Sequence, residues 1–317
     1  MADDLGVKYT DRKQKDIERS LRRIYKQAQE DIKAKTNDFF AEAKKEEEML
    51  LQQVKEGSIT QEAFDRWKKQ EVFTGDSWES QQKNIAKVLA NTNDFANSII
   101  RGEQFNVFAF NANYTAYNIE NGFGTSFGFD LYSKESVSRL IKDKPNILPF
   151  KKLDKKKDER WNFKNIRSQI AQGILQGESI PKIAERLASV VPNRNEKQMV
   201  LHARTAMTAA QNGGRMERYH EAEDLGIKFK KVWLATPDDR TREEHQEADG
   251  QAVAPDEPFI VGGEKLDYPG DPHVDPSLVY NCRCTMVTEL DDYPRRFTEK
   301  IPDQSFEDWE DSKNGED

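Results

Sequence analysis

A mainly α-helical chain with long N-terminal amphipathic helices and a small C-terminal α+β module is the fold class the sequence predicts, and three observations predict it. Apolar residues recur at spacings of three, four and seven through most of the chain, the mark of helices with one buried face. Charged residues make up 33% of the chain against 36% hydrophobic, a composition that favours extended, solvated helices over one compact core. Only between Ile227 and Leu290 does the pattern change to short β-prone runs separated by Gly and Pro.

Residues 1–10 show no such periodicity and are expected to be disordered. From Asp11 to Glu56 one stripe runs through Ile17, Leu21, Ile24, Ala28, Ile32, Phe39, Ala43, Leu50 and Val54, with Lys and Glu on the flanks and Gly57 as the stop. A helix of this length is unstable alone in water. Its apolar face therefore packs within an internal bundle or docks on another subunit. A second helix follows Ser58 or Thr60 and carries Phe64 and Trp67. Asp76 and Glu79 read as the capping box of a third, which carries Trp78, Ile85, Val88, Leu89, Phe95, Ile99 and Ile100 and stops at Gly102.

Glu103 to Phe150 is crowded with aromatics, among them Phe105, Phe108, Phe110, Tyr114, Tyr117, Phe123, Phe127, Phe129 and Tyr132. Core packing is the plain reading, and stacking on bases is the functional one. The segment 139–164 reads as a basic linker: it holds ten bases against four acids, with Lys151, Lys152, Lys155, Lys156 and Lys157 at its centre. Such a run is either a solvated face or a phosphate contact that releases counterions from DNA. Helices resume at Trp161. One ends near Gly177, one runs from Ser179 to Pro192, and one, capped by Asn195 and Gln198, passes Gly213-Gly214 to reach Gly226. The paired glycines mark a kink or a close helix contact. The tail 291–317 is acidic, with Phe306 and Trp309 its late aromatics. It reads as disordered or as a short anchor on a neighbour. The chain thus divides into 1–138, the linker 139–164, a domain 165–290 whose last part (227–290) is the α+β module, and the tail.

Inside the module, Lys231 to Leu234 reads as a strand. Thr236, Pro237 and Asp239 read as the start of a capped helix that runs to Asp249, carries His245 on its last turn and stops at Gly250. Phe259 to Leu266 reads as a hairpin turning at Gly262-Gly263. Cys284 to Val287 reads as a strand returning beside Val232 to Leu234. Both cysteines and two of the four histidines lie in this region.

Trp233, Asp239, Arg242, His245, Gly250, Phe259, Pro269-Gly270 and Asn281-Cys282-Arg283-Cys284, in this order and spacing, resemble the phage head morphogenesis (Mu F-like) minor capsid protein family. The likeness spans about Arg160 to Leu290, with a looser match in the helical N-terminal half. The resemblance implies a minor head component that accompanies the portal protein in procapsids, with capsid or scaffold proteins as further partners. It implies no settled enzymatic activity. Some members carry a fused C-terminal toxin or transferase domain, for which the short stretch after Cys284 is expected to leave no room.

His245, Cys282 and Cys284 are the one set with metal-ligand chemistry, and His273, Asp271 or Asp239 are candidates for a fourth ligand. Soft sulfur and nitrogen donors suit a structural zinc. Two other readings stand beside it. One is a metal-free core in which the cysteines act as small hydrophobes, His245 bonds backbone near the Asn281 turn, and Asp239 pairs with Arg240, Arg242 or Arg283. The other is a strained C-x-C disulfide. A metal-dependent hydrolase or a Cys/His nucleophile can also be drawn, but no G-x-S-x-G, H-E-x-x-H, P-loop or dinucleotide fingerprint accompanies it. Met1-Ala-Asp-Asp is not a signal start, and no apolar run reaches bilayer length. These features predict a protein made and used in the cytoplasm of the host, and the resemblance implies a place in the virion interior. The expected protein is non-enzymatic, binds the portal, has double-stranded DNA as a further partner and has no membrane role. A DNA-binding protein ejected with the genome is the alternative.

Overall fold

A computed structural model describes residues 4–72, 76–148, 152–290 and 304–314. Among the described residues the chain is mainly helical, with ten α-helices and five short strands, as the composition and periodicity predict. None of these helices is long and apolar enough to cross a membrane. Seven helices precede the first strand: α1 Leu5–Phe39, α2 Ala41–Lys55, α3 Gln61–Trp67, α4 Asp76–Phe123, α5 Lys134–Asp143, α6 Lys155–Leu175 and α7 Ile180–Asp224. The chain forms two compact units. One comprises Arg19–Ser98 and Lys152–Val200; the other comprises Met1–Glu18, Ile99–Lys151 and Leu201–Asp317.

The first unit is built from helices. Its core gathers Ile32, Phe40, Trp78, Ile85, Leu89, Ile166, Ile183, Leu187 and Val191. Of the stripe predicted for the first helix, Ile17, Leu21, Ala28 and Ile32 are buried, in keeping with the internal-bundle reading, while Ile24, Phe39, Ala43, Leu50 and Val54 are half-buried. The helix expected from Asp11 to Glu56 is two, α1 and α2. They divide at Phe40, whose buried ring lies against Trp78 with centroids 4.8 Å apart. Pro192 does not end a helix; it lies inside α7. Leu187, Ala188 and Val191 are buried around it, so packing holds the helix through the missing N–H. Asn195, expected as a cap, is a buried mid-helix residue whose amide reaches Asn162 at 2.9 Å and accepts from Asn93 at 2.7 Å. The buried Glu47 was not singled out in the sequence. Its carboxylate accepts the Ile180 N–H at 2.9 Å and pairs with Lys68 at 3.0 Å, so it completes the N-terminus of α7 from another helix.

The second unit carries the strands. β1 (Phe229–Leu234) lies between β2 (Ala252–Val253) and β5 (Thr285–Leu290) in an antiparallel sheet, and β3 (Phe259–Val261) and β4 (Glu264–Leu266) form a hairpin. Val232 pairs with Val287 and Trp233 with Met286, as the sequence predicts for the returning strand. Gly262 and Gly263 both have positive φ, +58° and +83°, the turn that suits a two-residue hairpin. Two short helices, α8 (Glu243–Glu247) and α9 (Pro276–Val279), fill the connections, and α10 (Phe306–Asn314) follows the sheet.

Four further expectations are corrected. Residues 5–10 are helical rather than disordered, and Tyr9 stacks on Phe110 with centroids 3.9 Å apart. Gly102 does not stop α4, which continues to Phe123, because the aromatic face beyond it is buried. Phe108 is fully buried, and Phe110, Tyr114 and Tyr117 pack against the core, so the aromatic cluster packs a core. The tail does not reach for a neighbour through its aromatics. Phe306 and Trp309 pack on α4, and Trp309 Nε1 donates to Glu120 at 2.7 Å. Residues 291–303 lie outside the described residues. The segment expected as an open linker is helical at both ends, in α5 and α6.

Gly213-Gly214 marks a close helix contact. A Cβ on Gly214 would fall 2.3 Å from the Phe108 carbonyl oxygen, so only Gly lets the backbones of α4 and α7 approach there.

Candidate functional site

His245, Cys282 and Cys284 are brought together and buried. α8 positions the histidine, and the stretch entering β5 positions the cysteines. His245 Nε2 lies 2.9 Å from the Leu278 carbonyl. A carbonyl only accepts, so Nε2 carries the proton and Nδ1 turns to the sulfurs. Nδ1 is 3.3 Å from Cys284 Sγ and 3.6 Å from Cys282 Sγ. The two thiols are not bonded to each other, so the disulfide reading is set aside. The Cys282 thiol shares a hydrogen bond with Cys284. That bond, with the His245 ring and a backbone N–H of Thr236, holds the Cys284 thiol well below its ordinary range. The same bond, with burial, holds Cys282 well above it. Trp233 walls the site: its ring meets His245 edge-on at 5.6 Å and Phe259 at 5.3 Å.

His273, named as a fourth ligand, is not among these. Its Nδ1 bonds Asp271 at 2.8 Å and its side chain is half exposed. Asp271 also accepts backbone N–H groups from Asp267 and His273, so it organises its own loop. The helix carrying His245 is shorter than expected, Glu243–Glu247, and Arg242 precedes it without a side-chain cap. Thr236 is no cap; its hydroxyl donates to the Arg283 carbonyl at 2.9 Å. The acid that pairs is Asp238, while Asp239 is exposed. Arg283 grips both Asp238 oxygens, at 2.6 and 2.5 Å, and this guanidinium holds the carboxyl far below the usual range. Arg242 donates to the Tyr280 carbonyl at 2.5 Å.

Other motif residues serve the backbone. Gly250 and Gly270 have φ of +77° and +84°, and Asn281 has +55°, a left-handed conformation Asn tolerates better than most residues. Gly270 abuts α7, where an added Cβ would meet Thr208 Cγ2 at 3.1 Å.

Sequence reasoning missed the face of α7 that holds this segment. The buried Asn212 amide donates to the carbonyls of Pro269 at 2.9 Å and Cys284 at 3.1 Å, and its oxygen accepts from Thr285 at 3.2 Å. Thr208 donates to the Cys282 carbonyl at 2.6 Å, Gln211 to Thr285 at 3.0 Å, and Arg215 to the Met286 carbonyl at 2.7 Å. Polar residues at 208, 211, 212 and 215 share one helical face, a signal available in the sequence. Lys231 was also missed as a buried amine. Its Nζ donates to the Asp267 carbonyl at 2.9 Å and lies 5.1 Å from the Phe259 ring centre. Burial pushes it down to about 8.

Lys152, Lys155, Lys156 and Lys157 belong to the other unit and are exposed. The last three form the first turn of α6, whose N-cap Asp154 accepts from the Lys157 N–H at 3.1 Å. Lys151 lies outside the described residues.

Residues 164–287 match the sequence model of the family described as Phage Mu protein F like protein. Minor head protein GP7 of Bacillus phage SPP1 is 27% identical over 287 residues, which cover 90% of this chain and 85% of that protein. An NAD(+)–arginine ADP-ribosyltransferase, EFV, of Enterococcus faecalis is 38% identical over 141 residues, 44% of this chain. The chain spans only 28% of that enzyme's length. An uncharacterised protein of Haemophilus influenzae is 27% identical over 165 residues, with 33% of its length covered. No solved structure matches. These matches bear out the resemblance drawn from the sequence: residues 164–287 are similar to the Phage Mu protein F like family.

Proposed function

We propose that this chain is a non-enzymatic minor head protein that binds the portal protein, and with it capsid or scaffold proteins, during procapsid assembly in the host cytoplasm, and that it remains in the virion interior. The observation that carries this is the match to a minor head protein along 90% of this chain and 85% of that one. A likeness so nearly end to end favours a shared role over a borrowed domain. The transferase named above shares less than a third of its length with this chain. His245, Cys282 and Cys284, the residues from which a hydrolase or nucleophile site would be drawn, are 2–3% exposed and walled by Trp233. A hydrolytic site needs an open position for substrate.

The exposed lysines at 152, 155, 156 and 157 are the candidate contact with packaged double-stranded DNA. They favour one second reading, a DNA-binding protein ejected with the genome. The test is a tagged pull-down from phage-infected cells, with mass spectrometry of the bound proteins and a salt titration. Portal and scaffold proteins retained at high salt support the assembly role. Recovery of nucleic acid alone, stripped by moderate salt as counterion release requires, would sink the portal claim and leave the DNA reading.

A further inference from the structure

We propose that His245 and the thiolates of Cys282 and Cys284 bind one zinc ion, which ties α8 to the segment entering β5. The three donors sit where such an ion needs them. Tetrahedral zinc, with Zn–N near 2.0–2.1 Å and Zn–S near 2.3 Å, sets its nitrogen and sulfur ligands about 3.6 Å apart. His245 Nδ1 stands 3.3 and 3.6 Å from the two sulfurs, and all three donor atoms lie within 4.8 Å of one another.

The surroundings are arranged in the same sense. The far nitrogen of a metal-bound histidine is commonly held by a carbonyl, which fixes the tautomer and the ring plane; here Leu278 does this at 2.9 Å. Cys284 accepts a backbone N–H from Thr236, and Cys282 accepts one from Cys284 itself. Trp233 fixes the ring from the side. The soft S₂N set selects zinc over magnesium or calcium.

Binding displaces the two thiol protons: Zn²⁺ and two S–H groups give a neutral dithiolate centre and two H⁺. Two thiolates and one divalent cation cancel, which suits a buried position. His273 supplies no fourth ligand, because it is held by Asp271. The module has strands of two, three and six residues, and a crosslink between positions 245 and 284 supplies cohesion its short elements lack.

The test uses the full chain, purified through a tag without histidines and dialysed against metal-free buffer. Elemental analysis should find about one zinc per chain. Exchange with cobalt should give thiolate-to-cobalt charge-transfer absorption and the d–d bands of a tetrahedral centre. Cys284→Ser and His245→Ala should lower the metal content at least tenfold, whereas His273→Ala should keep it. The wild-type cobalt spectrum decides the matter even if the first two variants fail to fold. Zinc far below one per chain with no thiolate band on adding cobalt overturns the proposal. So does full metal retention in soluble Cys284→Ser.

Discussion

The helical unit of residues 19–98 and 152–200 and the strand-bearing module of residues 227–290 are held together by different means. The first is cohesive because apolar side chains such as Leu21, Ile85, Leu89 and Leu187 are fully buried at helical spacing. The second buries Trp233, Phe259, Val261, Leu266 and Met286 completely as well, and adds a further means. Its strands are short, and its backbone is held by directional groups: Asn212 on two carbonyls, Arg283 on Asp238, His245 on two sulfurs. Packing of apolar groups tolerates a change of shape if volume is kept. A buried hydrogen-bond clamp does not tolerate a change of chemistry even when the shape is kept.

The sharpest way to break this contrast is a pair of near-isosteric changes. Asn212→Asp keeps the side chain's size but turns a carboxylate oxygen toward the carbonyls of Pro269 and Cys284. It should cost about 3–5 kcal/mol, the penalty of an uncompensated buried charge. Leu89→Met in the helical unit should cost less than about 1.5 kcal/mol. Denaturant midpoints of the two variants measure this. Equal and small losses would mean that the module is held by its apolar core after all.

Lys231 provides a smaller effect with a definite sign. Its amine is pushed down to about 8 in the folded chain, whereas in the unfolded chain it titrates near 10.4. Between these values the unfolded state binds more protons, so stability rises as pH rises through this window. Below pH 8 both states carry the charge and its burial penalty is fully present. Lys231→Met should remove a rise on the order of 1–3 kcal/mol. Melting curves from pH 7 to 11 check this: an unchanged slope in the variant would mean the amine is solvated in the native state.

The smallest expected change falls on the basic run. Asp154→Ala removes the acceptor for the Lys157 N–H and should cost about 1 kcal/mol, a typical N-cap loss. Helical circular dichroism during thermal unfolding measures it. No loss would show that the turn carrying Lys155–Lys157 is held from elsewhere.

Much of this molecule was legible in its residues. The stripe at Ile17, Leu21, Ala28 and Ile32 announced a buried helix face, and it is buried. Gly262-Gly263 announced the hairpin turn, and Val232 to Leu234 announced the partner of β5. The order Trp233, His245, Gly250, Asn281, Cys282, Cys284 announced the likeness to the Mu F-like family, which residues 164–287 match. These features are local or periodic, so chain geometry alone places their side chains on one face or in one turn. Helix ends were less legible. Gly102 and Pro192 read as stops because propensity speaks against them, yet buried apolar faces on both sides carried α4 and α7 through.

What the sequence by itself determined is the helical character, the likeness to the Mu F-like family and the identities of the sulfur and nitrogen donors. Which residues meet was decided by the tertiary structure. Nothing in spacing could show that Asp238 rather than Asp239 faces Arg283, that His273 is taken by Asp271, or that Glu47 completes the N-terminus of α7 from another helix. Nor could it show that Asn212 holds the chain at Cys284. Apart from the local His273–Asp271 bond, each is a contact between segments far apart in the chain, or a choice between adjacent residues pointing in different directions. Periodicity fixes which way a side chain leaves its own element. Only the packed fold fixes what it finds there.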